Sequence, residues 1–95
     1  MTFMAAMKFD PGQIVATRGA VDAFVASGDS PYAYLLRHVE GDWGEIDPDD
    51  VIVNELSLQR GFRLLSSYRL SSGVTVWCIT EADRSVTTFL LPDEY

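Results

Sequence analysis

The side chains that could handle phosphate or protons stand at two places in this chain. His38 is the sole histidine, and Arg84, Ser85 and Thr87 fall together in "DRSVTTF" near the C-terminal end. An imidazole titrates near neutral pH and can act as general acid or base. A guanidinium beside two hydroxyls on one strand face can stabilise the charge that builds on a phosphorane-like transition state. Each also has a structural reading. Helical periodicity places His38 about a quarter to a third of a turn from the centre of an apolar stripe, at the rim of the core, where a cation near a helix C-terminus gains from the dipole. Asp83 and Arg84 fit a turn in which the aspartate bonds nearby backbone and the arginine pairs with Glu81 or Asp83.

A second cluster is acidic. Residues 40 to 59 contain Glu40, Asp42, Glu45, Asp47, Asp49, Asp50 and Glu55 and no Lys or Arg, within a chain of net charge −7. The seven basic residues are scattered, so the counterion release that drives phosphate-backbone binding lacks a basic stripe, and general DNA binding is disfavoured. Such a segment suits a protein partner with a basic surface, through Asp42, Trp43, Glu45, Asp49 and Asp50, with Glu81 and Asp83 as further binding candidates. Trp43, between two glycines in "GDWG", reads either as a core plug or as a stacking surface. The acids do not follow the spacing of an EF-hand loop. With one cysteine, Cys78, inside an apolar run, no internal disulfide or multi-thiolate zinc site can form. No glycine-rich phosphate loop, His-Glu-x-x-His pair or nucleophile elbow is present. The expectation is no metal and no cofactor.

The elements that must position these residues are legible from caps and periods. Residues 1 to 6 read as a mobile extension and 7 to 95 as a single domain. Gln13 to Ala16 form a short β-type run after a Pro-Gly turn. Thr17 caps a helix over 18 to 27 that Gly28 ends. Ser30 and Pro31 open a second, with Tyr32, Leu35, Leu36 and Val39 as its apolar face and Gly41 past its end. Asp47 and Pro48 open a third that runs to about 56 or 60 before Gly61, with Asp49 and Asp50 at its positive end. From Phe62 the period becomes two, in "FRLLSSYRL", "VTVWCIT" and "SVTTFLLP". The predicted fold is therefore α+β: two or three N-terminal helices packed on one face of a C-terminal three-stranded antiparallel β-meander. Self-association through an uncovered edge strand, either 62 to 70 or 85 to 91, stays open. No apolar run is long enough for a bilayer, and a cytoplasmic location is expected.

"RHVEGDWGEID", "GFRLLSSYRL" and "WCITEADRSVTTFLLPDEY" resemble a family of small bacterial proteins described as plasmid-related and found on mobile elements. The resemblance runs from about Lys8 to Tyr95 and implies no assigned activity. More distantly, a helical histidine upstream of "SVTTFLLPDEY" looks like the layout of the barnase, colicin and RelE-like nuclease folds. That likeness implies a metal-free endoribonuclease, toxin-like, in which His38 is acid or base, Arg84 the cation and Thr87 a phosphate donor. The acidic composition favours the other reading, an accessory protein of mobile-element type that binds a protein partner.

Overall fold

The computed structural model describes residues 7 to 95. In chain order they form β1 (Gln13–Ala16), α1 (Arg18–Ser27), α2 (Pro31–Val39), α3 (Pro48–Arg60), β2 (Leu64–Arg69), β3 (Thr75–Thr80) and β4 (Val86–Leu90), followed by a 3-10 turn at Pro92–Glu94. Local chemistry explains the helix ends. The Thr17 hydroxyl accepts from the Ala20 amide and Ser30 from Tyr32, while Gly28 and Gly61 stop α1 and α3 in the left-handed conformation that glycine adopts without strain. Asp47 departs from expectation. It occupies the N-cap position of α3 but its side chain makes no capping bond.

The sheet has four strands in the order β1-β4-β3-β2, not three, and is mixed. β2 with β3 and β3 with β4 are antiparallel, as the meander requires. The Gln13–Ala16 run adds the correction: it precedes the helices yet pairs in parallel with β4, Gln13 opposite Val86 through Ala16 opposite Phe89. The β1-to-β4 crossover spans all three helices, which is the long connection that parallel pairing needs. Strand 85 to 91 is consequently interior and not an edge.

One face of the sheet carries Tyr68, Val76, Cys78 and Phe89, and these pack with Ala20, Ala23 and Phe24 of α1 and partly buried Tyr34 and Leu35 of α2. Burying each of the large side chains contributes about 2 kcal/mol. Within α2 the expected apolar face is rotated: Tyr32 is exposed and His38 is buried beside Val39. Trp77 on the opposite sheet face meets the Tyr95 ring at 5.7 Å between centroids.

The outer edge of β2 is closed rather than uncovered. Asn54 of α3 accepts from the Leu65 amide (3.1 Å) and donates to the Leu65 carbonyl (2.7 Å). Two residues on, the Ser67 amide donates to Trp43 O and the Ser67 carbonyl accepts from Glu45 N. Gly44 sits between them at φ 73°, so close to the Ser67 carbonyl that a Cβ would collide with it. Edge pairing through 62 to 70 is thus blocked by groups the chain itself supplies.

Candidate functional site

His38 has no solvent exposure, because hydroxyls from two strands bond its ring and a third strand extends the chain of bonds. Its Nδ1 lies 2.6 Å from Ser66 Oγ on β2 and its Nε2 2.9 Å from Thr80 Oγ1 on β3. Thr80 Oγ1 is 2.6 Å from Thr87 Oγ1 on β4, and the Thr87 hydroxyl donates to the Pro11 carbonyl at 2.7 Å. The register explains the convergence: Thr80 is directly opposite Thr87, and Ser66 is opposite Cys78, one position of the same face away. The periodicity-based rim position of His38 is corrected here, and Thr87, the expected phosphate donor, is fully buried. A polar side chain can be fully buried where every donor and acceptor is matched, and no buried side-chain N or O among the described residues lacks a partner.

The chain of bonds has one direction. A carbonyl only accepts, so Thr87 gives its proton to Pro11 O and must accept from Thr80. Thr80 then has no proton left for the ring and accepts from Nε2–H, which leaves Nδ1 to accept from Ser66. His38 is therefore the Nε2–H tautomer. Burial first, and the positive charge of Arg84 second, push its pKa down to about 3. A neutral imidazole locked between hydroxyls is a clamp joining α2, three strands and the segment before β1. It is not poised for proton transfer near neutral pH, and a group without solvent contact meets no ribose hydroxyl unless the fold opens.

Arg84 is in the same neighbourhood. Phe9 touches both, its ring edge-on to His38 at 5.2 Å and 5.7 Å from the Arg84 guanidinium. The guanidinium, however, is spent on backbone carbonyls: Nη1 donates to Phe62 O (2.7 Å), Ala82 O and Glu81 O, and Nη2 to Ser57 O (2.9 Å). Ser57, whose carbonyl also accepts from the Gly61 amide, lies in the last turn of α3 and Phe62 just beyond it, where a cation is favoured. Arg84 itself has φ 63°, the sole positive value among the described non-glycine residues. The anticipated ion pair of Arg84 with Glu81 or Asp83 is absent: Glu81 faces Arg63 (3.6 Å), and Asp83 accepts from the Ser85 amide (3.0 Å). Contact with Ser85 holds the Asp83 carboxyl below its usual range. Ser85 stays in that exposed turn, away from the hydroxyl chain.

The acidic candidates divide. Asp42 is bound by Arg37 (2.7 Å), which lowers its pKa, and Glu45 faces Arg69 at 3.2 Å. Trp43 is buried, its Nε1 donating to Glu55 and its ring edge-on to His38 at 5.8 Å, so it fills the core and presents no stacking face. Asp49 and Asp50, with Asp47, remain exposed at the start of α3 and have no ion-pair partner among the described residues.

Helix α3 is built inside out. Its buried residues are Asn54 and Ser57, while Ile52 (60% exposed), Val53 (54%) and Leu56 (44%) face solvent. With Asp49 and Arg60 they occupy about a 100° arc at 3.6 residues per turn. The stripe is hidden in the sequence because Val51, Ile52 and Val53 are consecutive and mark no helical period. Sequence reasoning also misses Ser66 and Thr80, for which the available signal is a hydroxyl recurring on the inward face of all three predicted strands. Among the described residues no helix is long and apolar enough to cross a membrane. Comparison with protein-family models, with curated proteins and with solved structures finds no match.

Proposed function

We propose that this protein is a non-catalytic interaction protein whose α3 surface receives a protein partner with a basic face. The observation that carries the reading is the outward stripe of Ile52, Val53 and Leu56 beside unpaired Asp47, Asp49 and Asp50. An apolar strip with acids clustered at its N-terminal end and Arg60 at the other suits an amphipathic partner whose basic end meets the acids: apolar contact supplies the affinity, and the charges set orientation and on-rate. The net charge of −7 extends the same attraction over the surface. The resemblance to small plasmid-related proteins supports an accessory role on mobile DNA. The endoribonuclease alternative has less support, since His38 is buried and neutral and Arg84 is committed to carbonyls.

The test uses a fluorescent amphipathic Lys/Leu helical peptide as the probe, with a Glu/Leu peptide of the same pattern as control. Anisotropy should report binding of the basic peptide alone, weakened by salt, lost in Ile52→Ser/Leu56→Ser and kept in Arg84→Gly. Equal binding of both peptides, or indifference to the α3 substitutions, would refute the reading. Metal-free RNA cleavage that disappears in His38→Gln would replace it with the nuclease.

A further inference from the structure

The two edges of the sheet are treated differently. β2 is closed by Asn54, Trp43 and Glu45, as described above. At the other edge, Gln13 N donates to Ser85 O and Thr17 N to Phe89 O, so in the parallel ladder residues 13, 15 and 17 face β4. The amide and carbonyl groups of Ile14 and Ala16 must then point outward. All four residues of β1 are exposed, and "QIVA" contains no charge, proline or glycine. Apart from the strand's shortness, four residues, none of the devices that normally blunt an edge is present within it.

Beside this edge lies an apolar groove of about 220 Å³ lined by Ile14, Pro31, Tyr32, Leu35 and Phe89. A neighbouring hollow is lined by Ala16, Val21 and Val25. Tyr32 is 74% exposed and Val25 78%. The one charged residue lining either hollow, Asp29 in the second, is already engaged, accepting from Tyr34 and Ser71.

We propose that β1 is where two copies of this chain pair, edge to edge and antiparallel, into one continuous sheet. This surface is separate from the α3 face and does not depend on the function proposed for it. The strand is self-complementary about a two-fold axis at Val15. Ile14 of each copy then lies opposite Ala16 of the other, a large side chain against a small one, and each such pair exchanges two hydrogen bonds. Val15 faces Val15 across the axis. Charge favours a second copy here over a basic partner. The unpaired acids cluster on α3, which flanks β2 at the opposite edge, so pairing at β1 sends both acidic surfaces to the far ends of the dimer. An uncharged edge gives a basic protein nothing to recognise.

Sedimentation equilibrium of the full chain over a range of concentrations should give a monomer–dimer equilibrium. Ile14→Lys sets like charges across the two-fold and should weaken it roughly a hundredfold, whereas Ile52→Ser should leave it unchanged. Position is tested by oxidation. Val15→Cys places two sulfurs in a non-hydrogen-bonded pair with Cα atoms about 4.5 Å apart, within disulfide reach, and should give covalent dimer. Gln13→Cys, opposite Thr17 of the second copy, should not, nor should the wild type, whose Cys78 is buried. A monomer at every concentration, a dimer indifferent to Ile14→Lys, or crosslinking of Gln13→Cys equal to that of Val15→Cys would overturn the proposal.

Discussion

Mild acid should destabilise this fold through His38 before any carboxylate is involved. Unfolded, the imidazole titrates near 6.5; folded, burial and then the Arg84 charge bring it to about 3. Between those values the unfolded chain takes up a proton that the folded chain refuses. The stability contribution is therefore complete above about pH 6.5 and is lost progressively as the pH falls toward 3. Well inside this window the folding constant drops about tenfold per pH unit, which amounts to roughly 2 kcal/mol by pH 5. Asp29, Asp42, Asp83 and Glu94, whose pKa values are lowered by their hydrogen bonds, change stability in the same sense. They do so only below their unfolded values near 4, which leaves the interval from about pH 7 to pH 5 to the histidine. The assay is guanidinium unfolding at constant ionic strength, followed by the fluorescence of Trp43 and Trp77. Trp43 lies against the His38 ring and reports on it directly. His38→Gln keeps an N–H that can reach Thr80 but cannot titrate, so its stability should be flat across the interval. A flat wild-type profile, or one whose slope persists in His38→Gln, would refute the assignment of a buried neutral imidazole.

Thr87→Val deprives the Pro11 carbonyl of its donor, at a cost of about 1–3 kcal/mol. It also frees the Thr80 proton to turn toward Nε2, so imidazole ¹⁵N shifts should report a change from the Nε2–H to the Nδ1–H tautomer. Arg84→Ala leaves the Phe62 carbonyl without its donor, takes from the Ser57 carbonyl its second donor beside the Gly61 amide, and leaves residue 84 at positive φ with no side-chain bonds to hold it there. A loss of about 2–4 kcal/mol is expected by chemical denaturation, with Arg84→Gly milder than alanine by about 1 kcal/mol. Asn54→Ala should cost about 1–3 kcal/mol, and hydrogen exchange should accelerate at the Leu65 amide while the Cys78 amide keeps its protection.

Features encoded by neighbouring residues were readable without coordinates. Thr17, Ser30, Gly28 and Gly61 announce helix ends because capping is settled within one turn, and the alternation in "VTVWCIT" marks an interior strand. What depended on distant partners was not. Gln13 to Ala16 is recognisable as β-type, but its partner is Val86 to Phe89, and four residues carry no signal of parallel pairing. His38 looked peripheral because a helical wheel scores its neighbours on the same helix; the hydroxyls that permit its burial come from Ser66, Thr80 and Thr87. In the same way Asn54 reads as a surface residue until the Leu65 backbone is beside it. The acidic segment was visible as composition, but its division into Arg-bound Asp42 and Glu45 and unpaired Asp49 and Asp50 required the fold.

The parallel pairing of the first and last strands bears on when the protein can fold during synthesis. β1 has no partner until β4 exists, and the N-terminal turn of α1 is held by Glu94, which accepts from the Thr17 hydroxyl and the Gly19 amide. Since the ribosomal tunnel hides the newest residues of a nascent chain, none of these contacts can close until residue 94 has emerged from it. α1 and α2 meanwhile emerge with Ala20, Phe24 and Leu35 uncovered, their sheet not yet made. The first strand to be made is thus among the last to be seated.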